Sequence, residues 1–357
     1  MAFLPSVRRS RFNKMKICAL IAAKNEAVAI VSTIDSIIDA GVPKEDVFLV
    51  SDGSTDATAE LALERGINVL ALEVNGGKSV AIAKGIKHFN LKSYDLLALA
   101  DADTTFEPGY FDAMKEGFEK NPNAAIACGK VKSRPKNWLT AWRALQYAVG
   151  HWLIKEGQNA LKTINVAAGC CSVFRMSLFD EIWESKPSIV EDMMATLRAH
   201  DLGYDVIYVR DAVVITADPQ DLLRSYSRQL VRWNGGAWTC TRQLKMWGST
   251  RRIALETQLV LGEGLVTSFL LMFMPVWLFL FPRTVETWFL IDSGFMFFSA
   301  AVASVTQKRW DIILYSPSYL VLRFVDSYLF LRSFVKAFFQ TQSKQLSWQS
   351  STRYKLS

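Results

Sequence analysis

Four short apolar runs, at 17–23, 47–50, 69–72 and 96–100, punctuate the first hundred residues, with helical stretches near 27–40, 57–65 and 79–88 between them. This strand–helix rhythm, over 17 to about 131, predicts an α/β unit with a parallel sheet and helices on both faces. In such sheets ligands bind at the carboxyl ends of the strands.

The pattern then changes. Trp138, Trp142, Leu145, Val149 and Trp152 recur at steps of four and three, as one apolar helix stripe. Tyr226, Leu230, Trp233, Ala237, Cys240, Leu244 and Trp247 form a second. These are either two core helices or a pair lying along a membrane interface, where Trp is favoured.

Further on, 259–281 reads as a membrane span. Residues 264–282 carry no charge over 19 positions. As helix they cover ~28 Å, close to a ~30 Å hydrocarbon core. A second, weaker span covers 288–305 and is interrupted by Asp292. The segment 312–339 is long enough to cross but holds Arg323, Asp326, Arg332 and Lys336. Arg323 and Asp326, three apart, can pair on a helix. The segment reads either as a tilted span or as a re-entrant or interfacial one.

Composition sharpens this. Of 357 residues, 50% are hydrophobic, which is ordinary for a globule. The apolar residues are concentrated enough to make a purely soluble enzyme improbable. The net charge is +7. Arg8, Arg9, Arg11, Lys14 and Lys16 open the chain, and further basic residues close it, leaving 17–322 acidic overall. Basic ends flanking apolar segments point to anionic lipid rather than nucleic acid. Lys245, Arg251 and Arg252 precede the first span, and Lys308 and Arg309 follow the second. Both clusters on one side satisfy the positive-inside rule, which predicts an integral membrane protein whose N-terminal domain is cytoplasmic. Five cysteines without a CxxC pair fit a reducing compartment. The basic N-terminus has no apolar stretch after it, so no signal peptide is expected.

Several constellations can carry chemistry. Asp52 ends VFLVSD, and Asp101 and Asp103 end LLALADAD. Carboxylates at strand ends can hold a ribose or a hard cation, and D-x-D brings two of them to one Mg²⁺ or Mn²⁺. Alone, each motif is equally a polar loop. Lys78 follows two glycines and opens a helix, which suits phosphate, without P-loop spacing. Glu191 and Asp192 open another helix, as dipole partners or as a general base. Gln229, Arg232 and Trp233 share one helix face, presenting an amide, a guanidinium and an indole together.

The order KNE (24–26), SDGSTD (51–56), NGGKS (75–79), DAD (101–103), GCCSVFR (169–175), ED (191–192) and QLVRW (229–233) resembles the family-2 inverting glycosyltransferases with a GT-A fold. More narrowly, it resembles their membrane-bound processive branch, which includes the cellulose, chitin, hyaluronan and chitooligosaccharide synthases. The closing SWQSSTRY (347–354) resembles the tail of that branch. The resemblance implies a basic segment (1–16), a GT-A domain (17–215), amphipathic interface helices with QxxRW (216–255), two or three transmembrane helices (256–340) and a basic tail (341–357). It implies that Glu26, Asp52 and Asp101 contact the nucleotide, with Lys78 nearby. Asp103, with Asp101, would ligate Mg²⁺ or Mn²⁺, and Asp192 would be the catalytic base. Gln229, Arg232 and Trp233 would hold the diphosphate and acceptor sugar, and Gly169 and Cys170 would lie in the acceptor loop.

The implied function is transfer from a UDP-sugar, with UDP-N-acetylglucosamine or UDP-glucose as leading candidates, to a growing β-linked glycan. Two or three spans are few to enclose a polymer channel in one subunit. Hence homo-oligomerisation, short products or a lipid-linked acceptor are expected. The alternatives are single-sugar transfer to a membrane lipid or polyprenyl acceptor, and a catalytically silent assembly subunit.

Overall fold

The computed structural model describes residues 15–184 and 190–339. Most of the basic N-terminal segment, and the tail at 341–357 with SWQSSTRY, lie outside the described residues.

The predicted strands form as β1 (Ile17–Ala23), β2 (Val47–Asp52), β3 (Asn68–Leu72) and β4 (Leu96–Asp101). The helices between them are α1 (Ile30–Asp39), α2 (Thr58–Glu64) and α3 (Lys78–His88). All three pairings in the order β3-β2-β1-β4 are parallel. Successive residues of β1 point to opposite faces, as the two-residue period requires. Ile21 packs with Ile30, Ile34 and Ile37 of α1 on one face, and Leu20 with Ile82 and Ile86 of α3 on the other.

Beyond β4 the sheet is mixed. It continues through β5 (Thr104–Phe106), α4 (Tyr110–Lys120), β6 (Ala124–Ser133), β7 (Ser172–Arg175) and β8 (Asp205–Thr216). Strand β7 lies antiparallel between β4 and β6, β8 runs parallel to β6, and β5 closes the edge antiparallel to β8. Between β7 and β8 come α7 (Phe179–Ile182) and α8 (Glu191–Asp201), which cover the α3 face. The strands that end on the acidic motifs are therefore central and rigid.

Between β6 and β7 the first aromatic stripe begins as α5 (Trp138–Val149), capped by Asn137 and Thr140 in a reciprocal capping box. It departs from a single α-helix at Gly150–Lys155, a π-helical segment, before α6 (Glu156–Leu161). The wider turn breaks the stripe, so Trp142 is buried while Trp152 is 71% exposed. The second stripe lies mostly on α9 (Ser227–Gln243); Tyr226 ends the π-helical segment Leu222–Tyr226 before it, and Leu244 and Trp247 lie past its end.

The C-terminal region is helical: α10 (Arg252–Met272), α11 (Met274–Leu280), α12 (Pro282–Gln307), α13 (Asp311–Leu314) and α14 (Ser316–Phe339). The span expected over 259–281 is not one helix. It breaks at Phe273, because Pro275 and Pro282 each sit in the first turn of a new helix and cannot continue the old one. Among the described residues, two helices, α10 and α12, are long and apolar enough to cross a membrane. Only 28% of the most apolar window of each is buried, unlike a soluble core helix. At the near ends, Arg251 pairs with Asp201 of α8, and Arg309 donates to the Ser133 carbonyl at the end of β6. The start of α10 and the end of α12 thus both meet the α/β unit.

The pair expected between Arg323 and Asp326 does not form. Arg323 bonds Asp292 of α12 instead, and Asp326 accepts from Trp142, Gln146 and Tyr226. Arg323 thus finds its counter-charge on a neighbouring helix, and Asp326 is satisfied by three neutral donors from α5 and Tyr226.

Candidate active site

The loops after β1 and β2 are laced together. Asn25, at a φ of 54°, accepts from the Thr55 amide at 2.8 Å, and the Glu26 amide donates to Thr58 Oγ1 at 2.8 Å. Glu26 is buried at the carboxyl edge of the sheet. Asp52 grips the glycine turn that follows β3. Its two oxygens accept the amides of Gly76 and Gly77, each at 2.8 Å. Gly53 has a φ of +66°, and a Cβ there would lie 2.8 Å from the Asn75 nitrogen, so only glycine lets the two loops approach.

That grip delivers Lys78 to the centre of the site. Its ammonium bonds Asp101 and lies 3.5 Å from Glu191 Oε1. Burial alone would lower its pKa, but the charges of Asp101, Glu191 and Asp192 outweigh it and hold the lysine protonated. Burial raises the Glu191 carboxyl above its usual range, opposed by Lys78.

Asp192 stands in the first turn of α8. Its Oδ1 accepts the Met193 amide at 2.8 Å and its Oδ2 the Gly169 amide at 3.1 Å. A Cβ on Gly169 would sit 3.1 Å from Lys78 Nζ and 3.6 Å from Asp192 Cβ. Lys78, Asp101, Glu191, Asp192 and Gly169 therefore make one cluster. Cys170, a free thiol, adjoins it, its pKa pushed up first by a hydrogen bond with the Cys171 thiol and then by burial. The loop before Gly169 is tied to α8, since the Ala167 amide donates to Thr196 Oγ1 at 2.9 Å. Lys155 donates to the Val166 carbonyl in the same loop.

Asp103 is buried just past β4, and its carbonyl accepts the Ala217 amide at 3.3 Å. Among the described residues there is no group of three or more His, Cys, Asp or Glu able to hold a metal. Two aspartates two residues apart at a strand end still fit Mg²⁺ or Mn²⁺. Such ions are usually held by one or two carboxylates, with substrate phosphates completing the shell. A cation at Asp101 would compete with Lys78.

Gln229, Arg232 and Trp233 lie on α9. Two of them are held by a residue that sequence reasoning missed. Arg143 of α5 donates to Gln229 Oε1 at 2.8 Å, and its guanidinium lies 4.8 Å from the Trp233 ring centroid. In the sequence Arg143 is one charge inside a Trp stripe, and nothing there pairs it with a residue 86 positions away. Further along the same face of α9, at i+7 from Gln229, the helix touches the Asp192 segment. A Cβ on Gly236 would lie 2.3 and 2.5 Å from the Val190 methyls. Gly236→Ala is expected to cost about 1–3 kcal/mol by overpacking and to displace Val190 beside Glu191. Thermal unfolding checks this, and a variant as stable as the wild type contradicts the close contact.

Residues 15–236 match the family described as "Glycosyltransferase like family 2". The chain belongs to that family. Among curated relatives, the poly-beta-1,6-N-acetyl-D-glucosamine synthase of Staphylococcus epidermidis is 28% identical over 244 residues, 66% of this chain and 58% of that protein. The synthase of the same name from Staphylococcus aureus strain COL gives the same identity and coverage. The chain thus matches a little over half the length of these relatives. In fold, this family-2 chain resembles the mannosyltransferase PcManGT from Pyrobaculum calidifontis, solved with GDP-Man and Mn²⁺. The TM-score is 0.60 at 16% identity, covering 92% of this chain and 88% of that one. The GT-A expectation holds, as an α/β unit followed by helices.

Proposed function

We propose that this chain is a membrane-bound inverting hexosyltransferase that moves a sugar from a UDP-sugar to a growing β-linked glycan. The observation that carries the reading is the shared cluster of Asp192, Gly169, Lys78 and Asp101. A carboxylate able to take a proton lies beside a basic group able to face a diphosphate. The names of the staphylococcal relatives favour UDP-N-acetylglucosamine over UDP-glucose as donor.

In this mechanism an acceptor hydroxyl enters beside Gly169 and Cys170. Asp192 takes its proton as the oxygen attacks the anomeric carbon from the face opposite the diphosphate. The new carbon–oxygen bond forms as the bond to the diphosphate breaks, and an α-linked donor gives a β-linked product. Lys78 and Arg232 offset the charge of the departing diphosphate. Gln229 and Trp233 position the acceptor sugar, with the indole as a stacking face. Glu26 and Asp52 border the nucleotide. Mg²⁺ or Mn²⁺ held by Asp103 and Asp101 would supply further charge neutralisation at the diphosphate.

The anchoring of the start of α10 and the end of α12 to the α/β unit supports a catalytic unit on the positive, cytoplasmic face, in contact with membrane lipid. A second reading is addition of one sugar to a membrane lipid or polyprenyl acceptor, since the helices beside the site expose apolar faces that a lipid can reach. A homo-oligomer could supply the additional membrane surface that a polymer channel needs.

The test is a screen of UDP-sugars with the purified full chain, reading released UDP and product mass together. Turnover with UDP-N-acetylglucosamine that disappears with EDTA and returns with Mn²⁺ is expected. A ladder of masses supports polymerisation, and a single increment supports the lipid acceptor. No turnover with any nucleotide sugar overturns the enzyme reading in favour of a silent assembly subunit.

A further inference from the structure

Asp326 sits in the middle of α14, on a face turned toward α5 and Tyr226, and it is richly bonded. Its Oδ1 accepts the Tyr226 hydroxyl at 2.8 Å, and its Oδ2 accepts Trp142 Nε1 and Gln146 Nε2, each at 2.9 Å. A carboxylate removed from water needs such donors, and a fully bonded network is rigid. The identity of the donors is informative, because all three surround Arg143. Trp142 and Gln146 flank it on α5, and Gln146 Oε1 accepts from its Nη1 at 3.0 Å. The Tyr226 ring centroid lies 4.6 Å from the guanidinium carbon. The same guanidinium then reaches Gln229 and Trp233.

We propose that Asp326 is a positioning residue for glycosyl transfer. It fixes Tyr226 and Gln146, these fix the plane of Arg143, and Arg143 orients Gln229 and Trp233 toward the acceptor. The inference rests on the transferase reading above and extends it to a helix outside the residues that match the family. Helix α14 is on this account part of the acceptor site's frame. Simple anchoring of α14 is already served by Arg323 bonding Asp292, and by Trp238 packing against Phe330, Phe334 and Phe338.

The test uses the full chain with its membrane helices and measures kcat, acceptor KM, donor KM and thermal unfolding. Asp326→Asn keeps the shape but removes the charge and turns one acceptor into a donor. Per folded molecule, a roughly tenfold or larger loss in kcat over acceptor KM is expected, because small misplacements from distant changes are costly. The donor KM stays unchanged, since Lys78 and Asp101 are untouched. Asp326→Glu restores part of the loss. Arg143→Gln combined with Asp326→Asn is no worse than Arg143→Gln alone, as for residues acting in one chain. Arg323→Met, one turn away, lowers only the folded yield. An Asp326→Asn protein with wild-type kcat and KM values overturns the proposal, even if it melts earlier. Additive losses in the double variant overturn it too. A wild-type chain without turnover on any nucleotide sugar overturns the transferase reading instead.

Discussion

Asp192→Asn is expected to retain donor binding and lose glycosyl transfer by roughly 10²–10⁴-fold, the usual contribution of a positioned general base. The amide is nearly isosteric, and its oxygen can still accept the Met193 or Gly169 amide. It cannot take the acceptor proton. Asp101 and Lys78 remain bonded to each other, so the donor side of the site is left standing. Donor affinity by equilibrium dialysis and transfer by product mass separate the two effects. Glu191→Gln discriminates between the neighbours, because Glu191 faces Lys78 and should affect donor affinity more than the proton transfer. Substantial transfer by folded Asp192→Asn protein would remove Asp192 from the base role.

The second large effect is expected at Lys78. Lys78→Met leaves Asp101 and Glu191 without the cation between them. Removing one partner of a fully buried pair costs ~3–5 kcal/mol. The Asp101 side chain is 37% exposed, so solvent reduces the expected loss of stability to about 2–3 kcal/mol. Donor affinity falls as well, since the anionic cluster then repels the diphosphate. The deficit has a defined pH dependence. Burial raises the Glu191 pKa in the folded chain, so the folded state binds its proton more tightly than the unfolded one. The loss in Lys78→Met is therefore smallest below the ordinary glutamate pKa and grows as pH rises through the raised value. Thermal unfolding across that range checks the trend. A deficit that grows toward acid contradicts the pairing.

Much of the donor half was legible in the sequence. Strands β1, β2 and β4 are buried on both faces, so they read as unbroken apolar runs, each ending near the acid or amide that the sheet presents. Strands β6 and β8 were not legible. Lys130, Lys132, Arg210 and Asp211 interrupt them, and only their pairing within the sheet reveals them as strands. Strand β7 has four residues, too short to show a period. Local spacing shows where the acidic set and QxxRW lie, at strand ends, helix starts or one helix face, but each alone is equally a polar loop or a solvated helix face, and only their joint order suggests a site. Arg143 and Asp326 were not, because their meaning lies in partners up to 184 positions away. The first span, expected over 259–281, lies instead at Arg252–Met272, because an uncharged run says nothing of the helix break before Pro275.

The central claim is an inverting transfer whose base is Asp192, and the anomeric configuration of the product tests it most directly. The full chain, supplied with UDP-N-acetylglucosamine and Mn²⁺, should form a glycosidic bond read as β by proton NMR coupling, and Asp192→Asn should not. An α-linked product from the wild-type chain would contradict the account.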